Sequence, residues 1–290
     1  MIDIIYRYDP DLKTVDTKPA TSAEAKALLE NGNEIFSHIL DPDANGNLPA
    51  TRIVSVTSGS LGVLGTFEAG VKHLPFAIVV GCADARVPIE LIFGQGANDL
   101  FVLRVAGNVL GEEILGSVDY ALNNLAGSIR LIVVLGHSGC GAVTAATDAF
   151  LDPANYLALA AHHHLRSIVN HIFPAVRVAF EALITSHGAS SRFKPGFRSA
   201  LIEMSVSVNA AMVASTLRDQ VLNTGVEGVE VVYGIYDIED RHVGLPIYDS
   251  ADKRGHILLD PPADGAAYLS QASLLARSPR ITRLLEDRAE

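Results

Sequence analysis

Tryptophan is absent from this 290-residue chain, and cysteine occurs only twice, as Cys82 and Cys140. Two cysteines are too few for the disulfide framework by which small secreted domains are stabilised. No apolar run approaches the length of about 18 residues that a membrane-spanning helix needs. The N-terminus also lacks a basic segment leading into an apolar one, so it does not resemble a signal peptide. We therefore expect a cytoplasmic protein without a membrane partner.

Basic residues are also scarce relative to acidic ones. Lys and Arg number 22 against 33 Asp and Glu, which gives a net charge of −11 at pH 7. This charge repels phosphate backbones, so we do not expect a nucleic acid as partner. Hydrophobic residues make up 49% of the chain and charged ones 19%. That composition can bury a large core and excludes a mainly disordered chain.

From residue 75 onward the chain alternates between apolar runs and segments with helical spacing. Buried strands are predicted at 76–80, 100–105, 131–135 and 229–236, with helices at 113–125, 141–150 and 203–221 among others. Strands that are separated by helices pair in parallel through right-handed crossovers. We therefore expect an α/β fold with a parallel sheet core of about four strands flanked by helices.

Three further expectations concern segments with weaker patterns. Residues 1–20 are polar and are predicted to be irregular, and residues 41–60 contain Pro, Gly, Asn and Ser and are predicted to form a loop. A helix over 156–177 is expected to end or kink at Pro174. The helix over 203–221 is expected to be amphipathic.

Both cysteines stand just beyond the ends of predicted strands. Cys82 follows the strand that ends at Val80, and His137 and Cys140 follow the strand that ends at Leu135. In an open parallel sheet, ligands bind beyond the carboxyl ends of the strands, so these three side chains are expected to meet if the two strands are neighbours. Two thiolates and an imidazole suit Zn²⁺ and leave its fourth tetrahedral position open, as in catalytic zinc sites.

Asp84 and Arg86 complete the predicted site. Two residues apart in an extended turn, they can form a charge-assisted bidentate pair. Held by Arg86, Asp84 would orient a zinc-bound hydroxide; released, it would ligate zinc and close the site. Taken singly, each residue also has an ordinary interpretation: inert buried thiols, a histidine bonded to the backbone, or a surface ion pair. Their combination after two buried strands favours the metal site.

These residues resemble those of the β-class carbonic anhydrases. The resemblance is carried by Cys-Ala-Asp-Ala-Arg over 82–86, by 99–108, by 116–120 and by Gly-His-Ser-Gly-Cys-Gly over 136–141, and it continues weakly at 233–237. It implies zinc on Cys82, His137 and Cys140, with Asp84 and Arg86 as the catalytic pair. It further implies reversible hydration of carbon dioxide to bicarbonate and a proton, zinc hydroxide being the nucleophile, in a homodimer or larger homo-oligomer.

In domain terms, residues 1–60 are expected to form an arm and helix that pack on a partner subunit. Residues 61–290 are expected to form one zinc-binding catalytic domain with an extended insertion over 151–200. The substrate pocket is predicted to include His73, Val87 and Phe101, and His73 is a candidate proton carrier.

The chain departs from the family pattern at several positions. Ala85 stands where the family usually has Ser, and His73 stands where many members have Gln. The family's inhibitory bicarbonate pocket uses a Trp where this chain has Val79, so that pocket is not expected even though Arg104 is present.

Two alternative functions remain open at this point. One is hydrolysis of CS₂ or COS, linear analogues of carbon dioxide, on the same site. The other is a non-catalytic zinc-binding protein that senses bicarbonate or scaffolds a complex, in which Asp84 would stay on the metal at every pH.

Overall fold

The computed structural model describes residues 3–9, 18–41, 51–57, 72–159, 162–246 and 257–286. The strands are β1 Asp3–Asp9, β2 Thr51–Thr57, β3 Ala77–Gly81, β4 Leu100–Arg104, β5 Leu131–His137, β6 Glu230–Tyr236 and β7 Val243–Gly244. The helices are α1 Ser22–Ser37, α2 Ile89–Phe93, α3 Glu112–Asn124, α4 Gly141–Leu151, α5 Pro153–Leu159, α6 His163–His187, α7 Phe197–Thr224, α8 Gly265–Ala276 and α9 Pro279–Glu286.

The central sheet has the strand order β4-β3-β5-β6-β7. Its first four strands run parallel, and the two-residue strand β7 pairs antiparallel at the edge. The predicted α/β class with a parallel core of about four strands is confirmed. β3 and β5 are neighbours with Gly81 opposite Leu135, so the residues that follow both strands leave the sheet at the same edge.

Alternate residues of the strands face two hydrophobic clusters, one on each side of the sheet. In β3, Ile78 and Val80 belong to the larger cluster, whereas Ala77 and Val79 belong to the smaller one. The larger cluster is covered by α3, α4 and α6 to α9, and the smaller one by α1 and α2. Because both faces are covered at the centre of the sheet, β3 and residues 131–135 of β5 are apolar without interruption, as is typical of parallel sheets.

The expectations of irregular structure over residues 1–20 and of a loop over 41–60 are each wrong at one place. β1 and β2 form a separate two-stranded parallel sheet with Asp3 opposite Thr51 and Asp9 opposite Thr57. Both segments are rich in Ile, Val, Thr and Tyr, which favour strands. Their polar and Pro- or Gly-containing flanks at 10–17, 42–50 and 58–71 lie outside the described residues.

The helices of the 151–200 region also differ from expectation. α6 runs through Pro174 to His187 instead of ending there, because Ile172, Ala175 and Val176 on its other face are buried in the larger cluster. Pro174 itself is exposed. α7 is not amphipathic, since every residue from Ala200 to Ala211 is buried.

Two of the described helices, α6 and α7, are long and apolar enough to cross a membrane by length and composition. In α7, 83% of the most apolar window is buried inside the protein, which accounts for its composition. The corresponding value for α6 is 39%, and its outward face carries charged residues such as Arg177 and Glu181. The absence of a membrane partner stays a prediction.

Helix α1 begins after Thr21, whose hydroxyl accepts a hydrogen bond from the Glu24 amide at 3.2 Å. Its buried residues Ala25, Leu29 and Phe36 pack into the smaller cluster of its own chain. The contact with a partner subunit that was predicted for residues 1–60 stays a prediction. α1 crosses α2 so closely that a Cβ on Gly32 would lie 1.8 Å from the Phe93 carbonyl oxygen.

We predict that Gly32→Ala destabilises the fold by about 3 kcal/mol, because the clashing atom is backbone and cannot rotate away. Gly116→Ala is the matched control: Gly116 also lies inside a helix, but its Cβ would meet nothing within 4 Å. The control should gain about 0.5–1 kcal/mol from helix propensity. Denaturant unfolding measures both, and equal stability of the two variants would contradict the packing described here.

Candidate metal centre

The sheet edge beyond β3 and β5 brings together both cysteines and one histidine. Cys82 follows directly after β3, and His137 is the last residue of β5. Cys140 is the N-cap of α4. The turn from His137 to Cys140 passes through Gly139 at φ +63°, a left-handed conformation in which glycine has no Cβ penalty. The three predicted ligands therefore lie in one place because of strand order and this turn.

The three potential ligand atoms lie within 4.8 Å of one another. The two sulfur atoms are 4.0 Å apart. On a tetrahedral ion with Zn–S bonds of about 2.3 Å, two sulfurs lie about 3.8 Å apart, so the observed spacing suits one shared ion. All three residues are buried, with exposed fractions of 5% for Cys82, 0% for His137 and 1% for Cys140.

His137 gives an independent test of whether a metal fits. Its Nδ1 lies 3.0 Å from the Ser138 carbonyl oxygen and is the atom that can donate to it. This bond leaves the lone pair on Nε2, which is buried and has no hydrogen-bond partner among the described residues. An unpartnered buried nitrogen costs free energy unless it binds something. The donor set of two sulfurs and one imidazole suits Zn²⁺.

The sulfur atoms of Cys82 and Cys140 lie within hydrogen-bond distance of each other. A hydrogen bond from the Cys140 thiol, opposed by burial and assisted by His137 and backbone amides, lowers the pKa of Cys82 to about 4. The same bond, together with burial, raises the pKa of Cys140, although the amides of Ala142 and Val143 at the start of α4 act in the opposite direction. The pair therefore releases one proton readily, and a bound metal would displace the second.

Asp84 and Arg86 form the bidentate pair that their spacing predicts. Arg86 donates from Nε to Oδ1 at 3.0 Å and from Nη2 to Oδ2 at 2.7 Å, and its backbone amide also donates to Oδ1 at 2.9 Å. These bonds hold the pKa of the Asp84 carboxyl well below its usual range. Asp84 is therefore ionised throughout the neutral range. Its Oδ2 lies 3.9 Å from Nε2 of His137, beside the three ligand atoms.

Two residues that sequence reasoning did not place at the site hold its backbone. Arg104 donates to the Cys82 carbonyl oxygen at 3.0 Å and to the Asp84 carbonyl oxygen at 2.6 Å. Asn209 of α7 donates to the Gly107 carbonyl oxygen at 3.0 Å, and the Gly107 amide donates to the Cys82 sulfur at 3.4 Å. Asn209 is 102 positions from Gly107 and lies in a helix that was predicted to be amphipathic, where a polar residue is not a signal for this contact.

The predicted pocket residues lie in different surroundings. His73 is exposed and stacks on the ring of Phe101, with the ring centroids 5.8 Å apart. Val87 is fully buried in the smaller hydrophobic cluster. That these residues line a substrate pocket stays a prediction. Among the described residues, Cys82, His137 and Cys140 are the only group of three or more Cys, His, Asp or Glu side chains placed to share one metal ion.

Comparison with known proteins gives the family of this chain. The family model described as "Carbonic anhydrase" matches residues 77–243, which is more than half of the chain. The match includes all three candidate ligands and the Asp84–Arg86 pair. The chain belongs to the carbonic anhydrase family, as its resemblance to the β class predicted.

Curated relatives match over a shorter segment. Carbonic anhydrase 2 of Mycobacterium tuberculosis (strain H37Rv) is 45% identical over 105 residues, which cover 35% of this chain and 46% of the relative. Carbonic anhydrase of Mycolicibacterium smegmatis is 42% identical over 111 residues, which cover 37% of this chain and 49% of the relative. The chain thus spans about half the length of these relatives. A solved Coccomyxa β-carbonic anhydrase in complex with acetazolamide is 20% identical with a TM-score of 0.45, covering 64% of this chain and 78% of that one.

We predict that the protein binds one zinc ion per chain and that Cys140→Ser binds almost none, because one of three ligands is lost. Removing the metal from the wild type with a chelator should lower its unfolding temperature, since metal binding contributes to folding. The same chelator should leave the unfolding temperature of Cys140→Ser unchanged. Elemental analysis and thermal unfolding measure these outcomes, and full zinc content in Cys140→Ser would contradict the assignment.

We predict that Asn209→Ala costs about 1–3 kcal/mol of stability, because the Gly107 carbonyl oxygen loses its donor. It should also weaken zinc binding by about tenfold, as is typical when a residue supporting a metal ligand is lost. Ser207→Ala is the control, because Ser207 is equally buried in α7 but bonds only within its helix, to the Glu203 carbonyl oxygen at 3.5 Å. Unfolding and chelator competition measure both effects; equal zinc affinities in the two variants would contradict this role.

Proposed function

We propose that this protein is a zinc-dependent carbonic anhydrase that catalyses the reversible hydration of carbon dioxide to bicarbonate and a proton. The observation that carries the proposal is the state of Asp84, which is held by Arg86 beside a set of three ligands. This arrangement leaves a metal with three protein ligands and a place for water, as in catalytic sites. Family membership supports the same activity.

In this proposal Cys82, His137 and Cys140 hold the zinc ion. A zinc ion held by these residues would act as a Lewis acid and lower the pKa of a water bound to it, which would supply the nucleophile. Asp84 accepts a hydrogen bond from the attacking water and thereby orients its lone pair towards the substrate carbon. Arg86 keeps Asp84 ionised and fixes the direction of its carboxylate.

The substrate that we propose is neutral, so the net charge of −11 does not oppose its approach. The water oxygen adds to the carbon of CO₂ and releases one proton. His73, exposed and stacked on Phe101, is the proposed carrier of that proton to solvent.

We also propose that the active form is a homodimer or larger homo-oligomer in the cytoplasm. In the single chain Arg86 has a side chain that is 57% exposed, and the edge strand β4 is only partly covered. A second copy placed against β4, with its residues 1–60 as the arm, would shield both features from water.

The pairing of Asp84 with Arg86 also bears on the two alternative functions, a bicarbonate sensor and a hydrolase for CS₂ or COS. A protein that senses bicarbonate without catalysis needs Asp84 on the metal, whereas here both carboxylate oxygens bond to Arg86, which favours the enzyme. A hydrolase for CS₂ or COS would use the same residues. Direct turnover assays with the three substrates separate that function from hydration of CO₂.

We predict that Asp84→Asn keeps its zinc but loses CO₂ hydration activity by a factor of about 100 or more, because its amide no longer orients the attacking water. Asp148→Asn is the matched control. Asp148 likewise accepts two hydrogen bonds from an arginine, Arg198, at 2.6 and 2.8 Å, but is not among the residues of the metal centre. Stopped-flow CO₂ hydration of zinc-loaded proteins measures both, and near-normal turnover of Asp84→Asn would refute its role.

A further inference from the structure

The turn between the metal ligands depends on Ser138. Its carbonyl oxygen accepts from Nδ1 of His137, so the position of Ser138 determines how the imidazole ring is turned. Its amide donates to the Tyr236 carbonyl oxygen at 3.0 Å. Its hydroxyl accepts from the Ile238 amide at 3.0 Å and donates to Oδ1 of Asp237 at 3.3 Å. Ser138 is thus attached to the end of β6 by three hydrogen bonds.

Apolar packing does not enclose this turn. Ser138 and Gly139 border a cavity of about 760 Å³ whose lining includes the charged residues Glu203, Asp237 and Arg280. A turn beside a polar cavity is restrained by its hydrogen bonds more than by close contacts. The orientation of the Asp237 carboxylate, which accepts from the Ser138 hydroxyl, therefore helps to fix the position of Ser138 in this turn.

Asp237 is in turn held by a residue far along the chain. Its Oδ1 accepts from the Glu239 amide at 2.9 Å, and its Oδ2 forms an ion pair with Nη1 of Arg280 from α9. The other arm of Arg280, Nη2, lies 3.0 Å from Oε1 of Glu203 on α7, whose side chain is 9% exposed. Burial lowers the pKa of Arg280, but Glu203 and Asp237 more than offset it, so the net pKa is raised and the guanidinium stays charged.

We propose that Arg280 is a positioning residue for the metal centre. It orients Asp237, Asp237 orients Ser138, and Ser138 holds the imidazole of His137 with Nε2 towards the two sulfurs. Helix α9 therefore contributes to metal affinity without contacting any ligand. The inference rests on the zinc site proposed above, but it concerns metal affinity and not turnover.

The test compares zinc dissociation constants by chelator competition on the full chain, with thermal unfolding of the metal-free proteins measured alongside. Arg280→Gln is combined with Glu203→Gln, so that the buried Glu203 carboxylate is not left without its partner. We expect the double variant to bind zinc about tenfold more weakly than the wild type. Glu203→Gln alone keeps the ion pair between Arg280 and Asp237, so its zinc dissociation constant should stay within about twofold of the wild-type value. The single variant Arg280→Lys, which keeps a positive charge beside Asp237, should bind zinc with most of the wild-type affinity.

Arg277→Gln is the control for loss of an arginine near this end of the chain, because Arg277 is exposed at the end of α8. The proposal is overturned if the double variant binds zinc as tightly as Glu203→Gln. It is also overturned if Glu203→Gln and Arg277→Gln lose as much affinity as the double variant, since the effect would then be general destabilisation.

Ser138→Ala keeps the proposal testable if the double variant does not fold. Removing the Ser138 hydroxyl breaks its hydrogen bond to Asp237, which is the other end of the series of contacts that begins at Arg280. This variant should therefore weaken zinc binding by a similar factor. If Ser138→Ala and the double variant both fold, combining all three substitutions should weaken zinc binding no further than Ser138→Ala alone. Additive losses of zinc affinity would overturn the proposal. A wild type that binds zinc but does not hydrate CO₂ refutes the proposed function and leaves this inference standing.

Discussion

The structure is organised around one buried imidazole nitrogen. Nε2 of His137 has no hydrogen-bond partner among the described residues, and the two thiol sulfurs are its neighbours. A buried nitrogen without a partner costs free energy, and a cation bound by this nitrogen and by both sulfur atoms would remove that cost. The parallel pairing of β3 with β5 creates this requirement, because it places the residue after one strand beside the last residue of the other.

The surrounding structure restrains each ligand separately. The segment that carries Cys82 is held by hydrogen bonds from Arg104 and, through Gly107, from Asn209. The turn that follows His137 is held by Ser138, which bonds to Asp237, and Asp237 in turn forms an ion pair with Arg280. Cys140 is placed by the start of α4. Asp84 is kept apart from the ligand set by Arg86, and this separation distinguishes a site open to water from a closed one. Arg104 joins the two groups, because it donates to the carbonyl oxygens of both Cys82 and Asp84.

The grouping of Cys82, His137 and Cys140 and the pairing of Asp84 with Arg86 were predictable, because each residue belongs to a short motif after an uninterrupted apolar strand. The fold class followed from the same strands and the helices between them. β1 and β2 were missed because their pairing partners lie far apart in sequence and their flanks are polar. The course of α6 through Pro174 and the burial of α7 depend on tertiary packing, which local patterns do not contain. Asn209 and Arg280 were missed because contacts between distant residues leave no periodic signal.

The most direct test of the central claim is a crystal structure of the zinc-loaded protein, with the metal located by anomalous diffraction at the zinc edge. The account predicts one ion bonded to Cys82, His137 Nε2 and Cys140, with a water as fourth ligand and Asp84 still paired with Arg86. Sulfur distances of about 2.3 Å and a nitrogen distance of about 2.0–2.1 Å are expected. An ion located elsewhere, or one whose fourth ligand is Asp84 at neutral and alkaline pH, would contradict the account.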